Sequence, residues 1–499
     1  TPQPPGASPQ VPRTTVTGAD GAFRFDNVAE GTYRIYLRRE GMVAGRPAPG
    51  LSPQQIRVRA GAPVTGLRYS LTPQAVISGR VLDDEGEPVQ GVQVMALRRA
   101  PPEARMDFAP AGQGVQTDDR GEYRLRNLPP GRYVVQAAPL ASGAMNVPEN
   151  QRTALAAAFH PDASSPQQAV WISAGAGQEV ANVDIRLRRV AVRRVSGKVL
   201  MEDGRPAERF MVTTVDRNAS IPFLMSGRMA MSREPGSFVL EAVPPGSYML
   251  MARLMEQQNP VMQRAAIAQV EVGDRDIEGV EIRFLPPFAL RGQIRVEGPG
   301  AEEAKSLLGK MQVSLMPSPS GLSFGQAAVK EDGSFEVTVH APGRYRLFLY
   351  QGASPQLYRA SIRTSGGSDA TQEIDLSSGA SESVIVTMRT DAARITATRP
   401  KADKEEELCN PYYASAVPVS ETERANRAPV RAPVDDSGQA ALFPLPPGEY
   451  YVFGVCTADL TLISDPDLLE SLIQKAEKIR VQAGEQKTVT LKDATPPEP

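Results

Sequence analysis

Cysteine, histidine and tryptophan are nearly absent from this chain: two, two and one in 499 residues. Each shortage excludes something. Two histidines, His160 and His340, lie far apart and leave no His-rich motif of the kind that holds zinc. Two cysteines, Cys409 and Cys456, are too few for a disulfide-built scaffold. A single tryptophan, Trp171, and an aromatic content of 6% leave little material for flat stacking platforms. Charge of one sign is also missing, since the formal net charge is −2, so no global field draws nucleic acid or an anionic membrane. No apolar run reaches eighteen residues, so nothing reads as a transmembrane helix. Neither histidine is accompanied by a Gly-x-Ser-x-Gly elbow, and no strand-to-helix phosphate loop occurs. The expectation is a chain with no catalytic residues, no metal site and no cofactor. Lysine is missing from residues 1–197 altogether.

Proline and glycine are plentiful instead, at 45 and 42 residues. They fall at turns between alternating apolar runs, as an all-β chain requires. The pattern is best seen in Asp119-Arg-Gly121-Glu-Tyr123-Arg-Leu125-Arg-Asn127-Leu128-Pro-Pro130-Gly131-Arg-Tyr133. Asp119 and Gly121 supply one turn, Tyr123 and Leu125 alternate on one face of a strand, and Pro130-Gly131 reverses the chain. The same frame recurs five times: Gly21 to Tyr33, Gly121 to Tyr133, Gly236 to Tyr248, Gly333 to Tyr345 and Gly438 to Tyr450. Twelve residues separate glycine from tyrosine in every copy, and a second glycine always stands two residues before the tyrosine. Successive copies begin 100, 115, 97 and 105 residues apart, one small β-sandwich per period.

We therefore expect an all-β chain of five tandem seven-strand-type β-sandwich modules with short helical insertions, spanning 1–73, 74–189, 190–287, 288–390 and 391–499. In the second, Ile77, Gly79 and Val81 alternate in an opening strand, Val92, Val94 and Ala96 form the next, and Val183, Ile185 and Leu187 close it. An Ala-rich run over Asn150 to Phe159 suggests a short helix. The third is rich in methionine (Met201, Met211, Met225, Met229, Met231, Met249, Met251, Met255 and Met262), which we read as adaptable core filling rather than a binding face or copper ligands. The fourth suggests a helix from Ala301 to Leu308 ending at Gly309. The fifth suggests one that Asp465 caps with Pro466 at its first position, with Leu469, Leu472, Ile473 and Ala476 as its apolar stripe. The first module is short at its front. Only 20 residues precede Gly21, Pro-rich and without alternation, so its opening strands do not fit and a sheet edge is left unpaired. Two causes fit: the missing strands lay upstream and were removed or cut off, or another subunit supplies a strand by β-augmentation.

The modules resemble the carboxypeptidase regulatory-like domain, a transthyretin-like β-sandwich. The residues that carry the resemblance are Ile77-Ser-Gly79-Arg-Val81 with Gly86-x-Pro88-x-x-Gly91-Val92, then Thr117-Asp-Asp-Arg-Gly121-x-Tyr123 and Leu128-Pro-Pro-Gly131-x-Tyr133. The second module matches best and the third well; the others match mainly in their second halves. The resemblance implies a fold rather than an activity, and such modules commonly occur in strings on secreted or envelope-associated bacterial proteins. They are also similar to the stalk modules of adhesins and pilins. The Lys–Asn cross-link of those stalks needs a lysine, so modules one and two cannot form it.

The residues left over suggest little chemistry. Asp83-Asp84-Glu85, Asp118-Asp119 and Asp435-Asp436 read as turns rather than calcium loops. The repeated tyrosines share the parity of Val135, Leu250 and Leu347 and so face the core, which leaves Trp171, Tyr412-Tyr413 and Tyr450-Tyr451 as candidates for carbohydrate. Cys409 and Cys456, with 46 residues between them, are expected to form a disulfide, Cys456 pointing inward with Tyr450 and Val452. The reading is a non-enzymatic, extracellular or cell-surface structural protein: a stalk, adhesin or subunit of a head-to-tail fibre, meeting other copies or other cell-envelope proteins. The rival is a carbohydrate-binding or sensing ectodomain.

Overall fold

The computed structural model describes residues 13–33, 35–44, 56–65, 67, 69, 71–100, 107–139, 152–217, 227–255, 264–318, 325–350, 357–399, 412–435, 437–456 and 465–494. Strands dominate, as the alternation and turn chemistry predict. Two compact units are present: residues 1–37 with 49–69, and residues 38–48 with 70–499.

The larger unit repeats one topology four times. An opening strand stands at the centre of a sheet, antiparallel to the strand that follows the signature glycine and parallel to a late strand of the same repeat. The opening strands are Ala75–Leu82, Arg193–Leu200, Phe288–Glu297 and Ala393–Thr398. Their antiparallel partners, the signature strands, are Glu122–Leu128, Ser237–Val243, Ser334–Val339 and Gln439–Leu445. Their parallel partners include Ile185–Arg186, Ile277–Arg283, Glu382–Arg389 and Gln486–Thr490. A second sheet forms around the strand that carries the signature tyrosine: Gly131–Pro139, Gly246–Leu254, Arg344–Tyr350 and Gly448–Cys456. Between the two sheets of each repeat lies an apolar cluster, the four running over 75–187, 195–284, 288–388 and 393–491.

The signature glycines earn their place through backbone shape. Gly21, Gly121, Gly236, Gly333 and Gly438 have φ of 78, 69, 71, 85 and 78°, the left-handed region where a side chain is disfavoured. Acidic residues tie the same turns: Asp118 Oδ1 accepts from the amides of Arg120 (3.0 Å) and Glu122 (2.8 Å), and Asp435 Oδ1 from those of Ser437 (3.0 Å) and Gln439 (2.9 Å). Asp83 does the same for Glu85 and Glu87, both at 3.0 Å. These carboxylates act as turn acceptors.

Helices are few. Ala301–Ala304 continues into a tighter turn over Lys305–Lys310, and Pro466–Ile473 begins where expected, with the Leu468 amide donating to Asp465 Oδ1 at 3.4 Å. A third helix, Glu421–Asn426, carries no apolar stripe by which periodicity would reveal it; Ser420 caps it by accepting from the Glu423 amide.

Three expectations are corrected. The described part of the Ala-rich run forms strands, Thr153–Leu155 and Ala158–Phe159; the first pairs with Arg189–Ala191 and the second with Gly131–Pro139, so tertiary pairing overrides alanine's helix preference. The methionines are not core filling. Met211, Met249 and Met251 alternate with the buried Val212, Leu250 and Ala252, so they sit on the outer face of their sheet, and only Met201 packs against the core. Met225 and Met262 lie outside the described residues. Finally, Cys456 is exposed although Tyr450 and Val452 are buried; it is the last residue of its strand, opposite Tyr412. Cys456 is disulfide-bonded; Cys409 lies outside the described residues.

Candidate functional site: an unpartnered signature strand

The signature tyrosine closes its own hairpin. Its hydroxyl donates to the carbonyl four residues earlier: Tyr33 to Ala29 at 2.9 Å, Tyr345 to Ala341 at 2.6 Å, Tyr450 to Pro446 at 2.8 Å, and Tyr133 to Pro129. The ring lies against the glycine two residues before it, so that a Cβ on Gly31 or Gly246 would sit 3.4 or 3.3 Å from ring atoms. Burial pushes the hydroxyls of Tyr248, Tyr345 and Tyr450 up to about 12. These tyrosines are corner pins of the fold. The constant Gly-x-Tyr spacing was the signal for the bond.

The aromatic candidates for sugar contact are largely occupied. Tyr412 and Tyr450 are buried; Tyr412 donates to Asp493, and the Arg399 guanidinium lies 4.1 Å over its ring. Trp171 is stacked on Phe108 at 5.9 Å and approached by Arg99 and Arg132 at 5.8 and 5.2 Å. Tyr413 and Tyr451 are half-buried. His160 directs Nδ1 to the Asp184 carbonyl at 2.6 Å, and His340 lies in a different repeat. Among the described residues no group of three or more His, Cys, Asp and Glu could hold a metal ion, and no helix is long and apolar enough to cross a membrane. An open groove of about 930 Å³ runs beside the opening strand Ala75–Leu82. Four of its charges pair with one another, Arg80 with Glu122 at 2.8 Å and Arg124 with Glu179 at 2.9 Å.

What remains is the first repeat. The strand Gly31–Tyr33 pairs with Ile56–Val58, yet residues 22–28, the counterpart of Glu122–Leu128, form no ladder among the described residues. The counterparts of its Phe23 are Tyr123, Phe238 and Phe335, exposed by 4, 2 and 3%. Phe23 and Phe25 are only half-buried, their ring centroids 6.2 Å apart, with Tyr69 6.1 Å from Phe23. Among the described residues, three of the seven exposed large apolar side chains also fall here: Val16 at 89%, Tyr36 at 80% and Val64 at 43%. Asn27 has φ 52°, matching Asn127 (57°) and Ala242 (55°), the positions where the paired strands bulge.

Residues 76–157 match the model of the carboxypeptidase regulatory-like domain. No curated protein matches the chain. Among solved structures, the chain is similar to the Bacillus anthracis TIE protein, at 10% identity and TM-score 0.18, covering 85% of this chain and 70% of that one. It is also similar to a streptococcal ancillary pilin (11%, TM-score 0.20, 61% and 99% covered). A third is GBS52, the minor pilin of Streptococcus agalactiae (12%, TM-score 0.20, 42% and 96% covered). At such scores these likenesses carry no argument about function.

Proposed function

We propose that this chain is a non-enzymatic structural protein of the cell surface or extracellular space, five β-sandwich modules in series, and that the first is completed by a strand from another subunit. The observation that carries this is the uncovered pair Phe23 and Phe25 on a strand that is paired in every other repeat. Tyrosine hydroxyls and acidic turns, the groups that a search for chemistry would select, are consumed by backbone contacts. Strand addition then gives the array a directional joint, and repetition of that joint makes a fibre. A Cys409–Cys456 bridge staples the opposite end of the chain. Size-exclusion chromatography with light scattering and electron microscopy tests this: concentration-dependent linear assemblies are expected, and a well-folded chain that stays monomeric at every concentration overturns it.

A further inference from the structure

Resting on that reading, we infer that the strand which completes the first repeat carries a glycine opposite Phe23, within the pattern apolar, polar, glycine, any residue, apolar. The four paired repeats set the register. The residue two before the central position faces the second inward residue of the signature strand: Ile77 with Leu125, Val195 with Leu240, Leu290 with Val337, Ile395 with Leu442. Phe25 occupies that place in the first repeat.

The central position covaries with what it faces. Gly79 pairs with Tyr123, Gly197 with Phe238 and Gly292 with Phe335, whereas Ala397 pairs with Ala440. There is no room for more. A Cβ on Gly292 would come 1.9 Å from the Phe335 ring, and on Gly79 or Gly197 it would meet the carbonyl of Val183 at 2.1 Å or Val280 at 1.9 Å. The facing ring is the obstacle at Gly292, and a carbonyl on the parallel side at Gly79 and Gly197; with Phe23 in the aromatic place, the incoming residue is glycine by the pairing that all three aromatic repeats share.

Two more contacts complete the specification. The amide two residues past the centre donates to the signature glycine's carbonyl at 2.8 Å in all four repeats: Val81 to Gly121, Val199 to Gly236, Ile294 to Gly333 and Arg399 to Gly438. No described residue donates to the Gly21 carbonyl. The residue before the centre faces the position of Arg24: Arg291 meets Glu336 at 3.5 Å, whereas Ser78 faces Arg124, whose carboxylate partner is Glu179. The strand is polar at this place in all four repeats, as Ser78, Ser196, Arg291 and Thr396. Among the described residues no copy of the pattern is free to supply the strand. This chain's own copies of the pattern, Ile77–Val81, Val195–Val199 and Leu290–Ile294, are central strands paired on both edges.

The test adds fluorescent synthetic peptides bearing Val-Ser-Gly-Arg-Val to the full chain and reads anisotropy and amide hydrogen exchange. Expected are saturable binding, slowed exchange at residues 22–28, and at least about tenfold weaker binding when the peptide glycine becomes valine. In the Phe23→Ala chain that preference shrinks or reverses, as the Ala397–Ala440 pair implies. Binding that ignores the glycine overturns this inference and leaves strand completion standing. No binding by any peptide, or residues 22–28 already as protected as 122–128 in the chain alone, overturns strand completion and this inference with it.

Discussion

Residues 22–28 and 122–128 are two copies of one strand in opposite situations. Both follow a left-handed glycine, both alternate aromatic or aliphatic residues, and both have an asparagine with positive φ. One has Ala75–Leu82 beside it and buries Tyr123 and Leu125; the other has no such neighbour among the described residues, and Phe23 and Phe25 are half-buried. Local sequence thus sets the shape of the strand, while burial comes entirely from a neighbour about 40 residues away in the chain. The hydrophobic contribution of an aromatic depends on that neighbour.

The largest effect separates these situations directly. Phe238→Ala is expected to cost about 3–5 kcal/mol, and Phe23→Ala less than about 1 kcal/mol in the isolated chain, both read by denaturant unfolding. Equal costs would mean that the first repeat has a hidden partner strand. Next comes the last repeat, which has a covalent staple where the first has an open edge. Reduction, or Cys409→Ser, is expected to destabilise it by about 3–4 kcal/mol and to leave the unfolding of residues 75–187 unchanged. Smaller still is the corner bond: Tyr450→Phe is expected to cost about 1 kcal/mol through the lost bond to Pro446, measured by the shift in denaturation midpoint. Tyr33→Phe is expected to cost less, since its bond to Ala29 is exposed.

Alkaline pH gives a graded version of the same contrast. Burial raises Tyr345 and Tyr450 from 10.0 to about 12. A hydroxyl whose pKa is raised by folding favours the folded state while it is protonated. That stability is whole below about pH 10 and falls as pH rises through about 12. Tyrosinate absorbance of the folded chain is expected to appear late and to coincide with loss of tertiary circular dichroism. Titration of these tyrosines near 10 with the fold intact would show that their hydroxyls are not buried.

Much of the fold was legible in the residues. The glycine-to-tyrosine ruler, the strand alternation and the helices at Ala301 and Pro466 follow from local rules: a turn needs φ above zero, a strand repeats every two residues, and a helix start needs a cap. The candidate site was legible in part, because the signature copy at Gly21 places Phe23 and Phe25 where Tyr123 and Leu125 stand in the next copy. The methionine face, the strands at Thr153–Leu155 and Ala158–Phe159, and the exposed Cys456 were not legible, since each depends on which distant strand lies alongside.

The sequence by itself determined the repeat, its turns and the inward face of each strand, because these are fixed within a dozen residues. Tertiary structure alone decided that the opening strand is the centre of its sheet, that its glycine is forced by the aromatic or carbonyl across from it, and that Phe23 lacks such a cover. Pairing joins segments that are remote along the chain, and steric fit between them exists only once they meet.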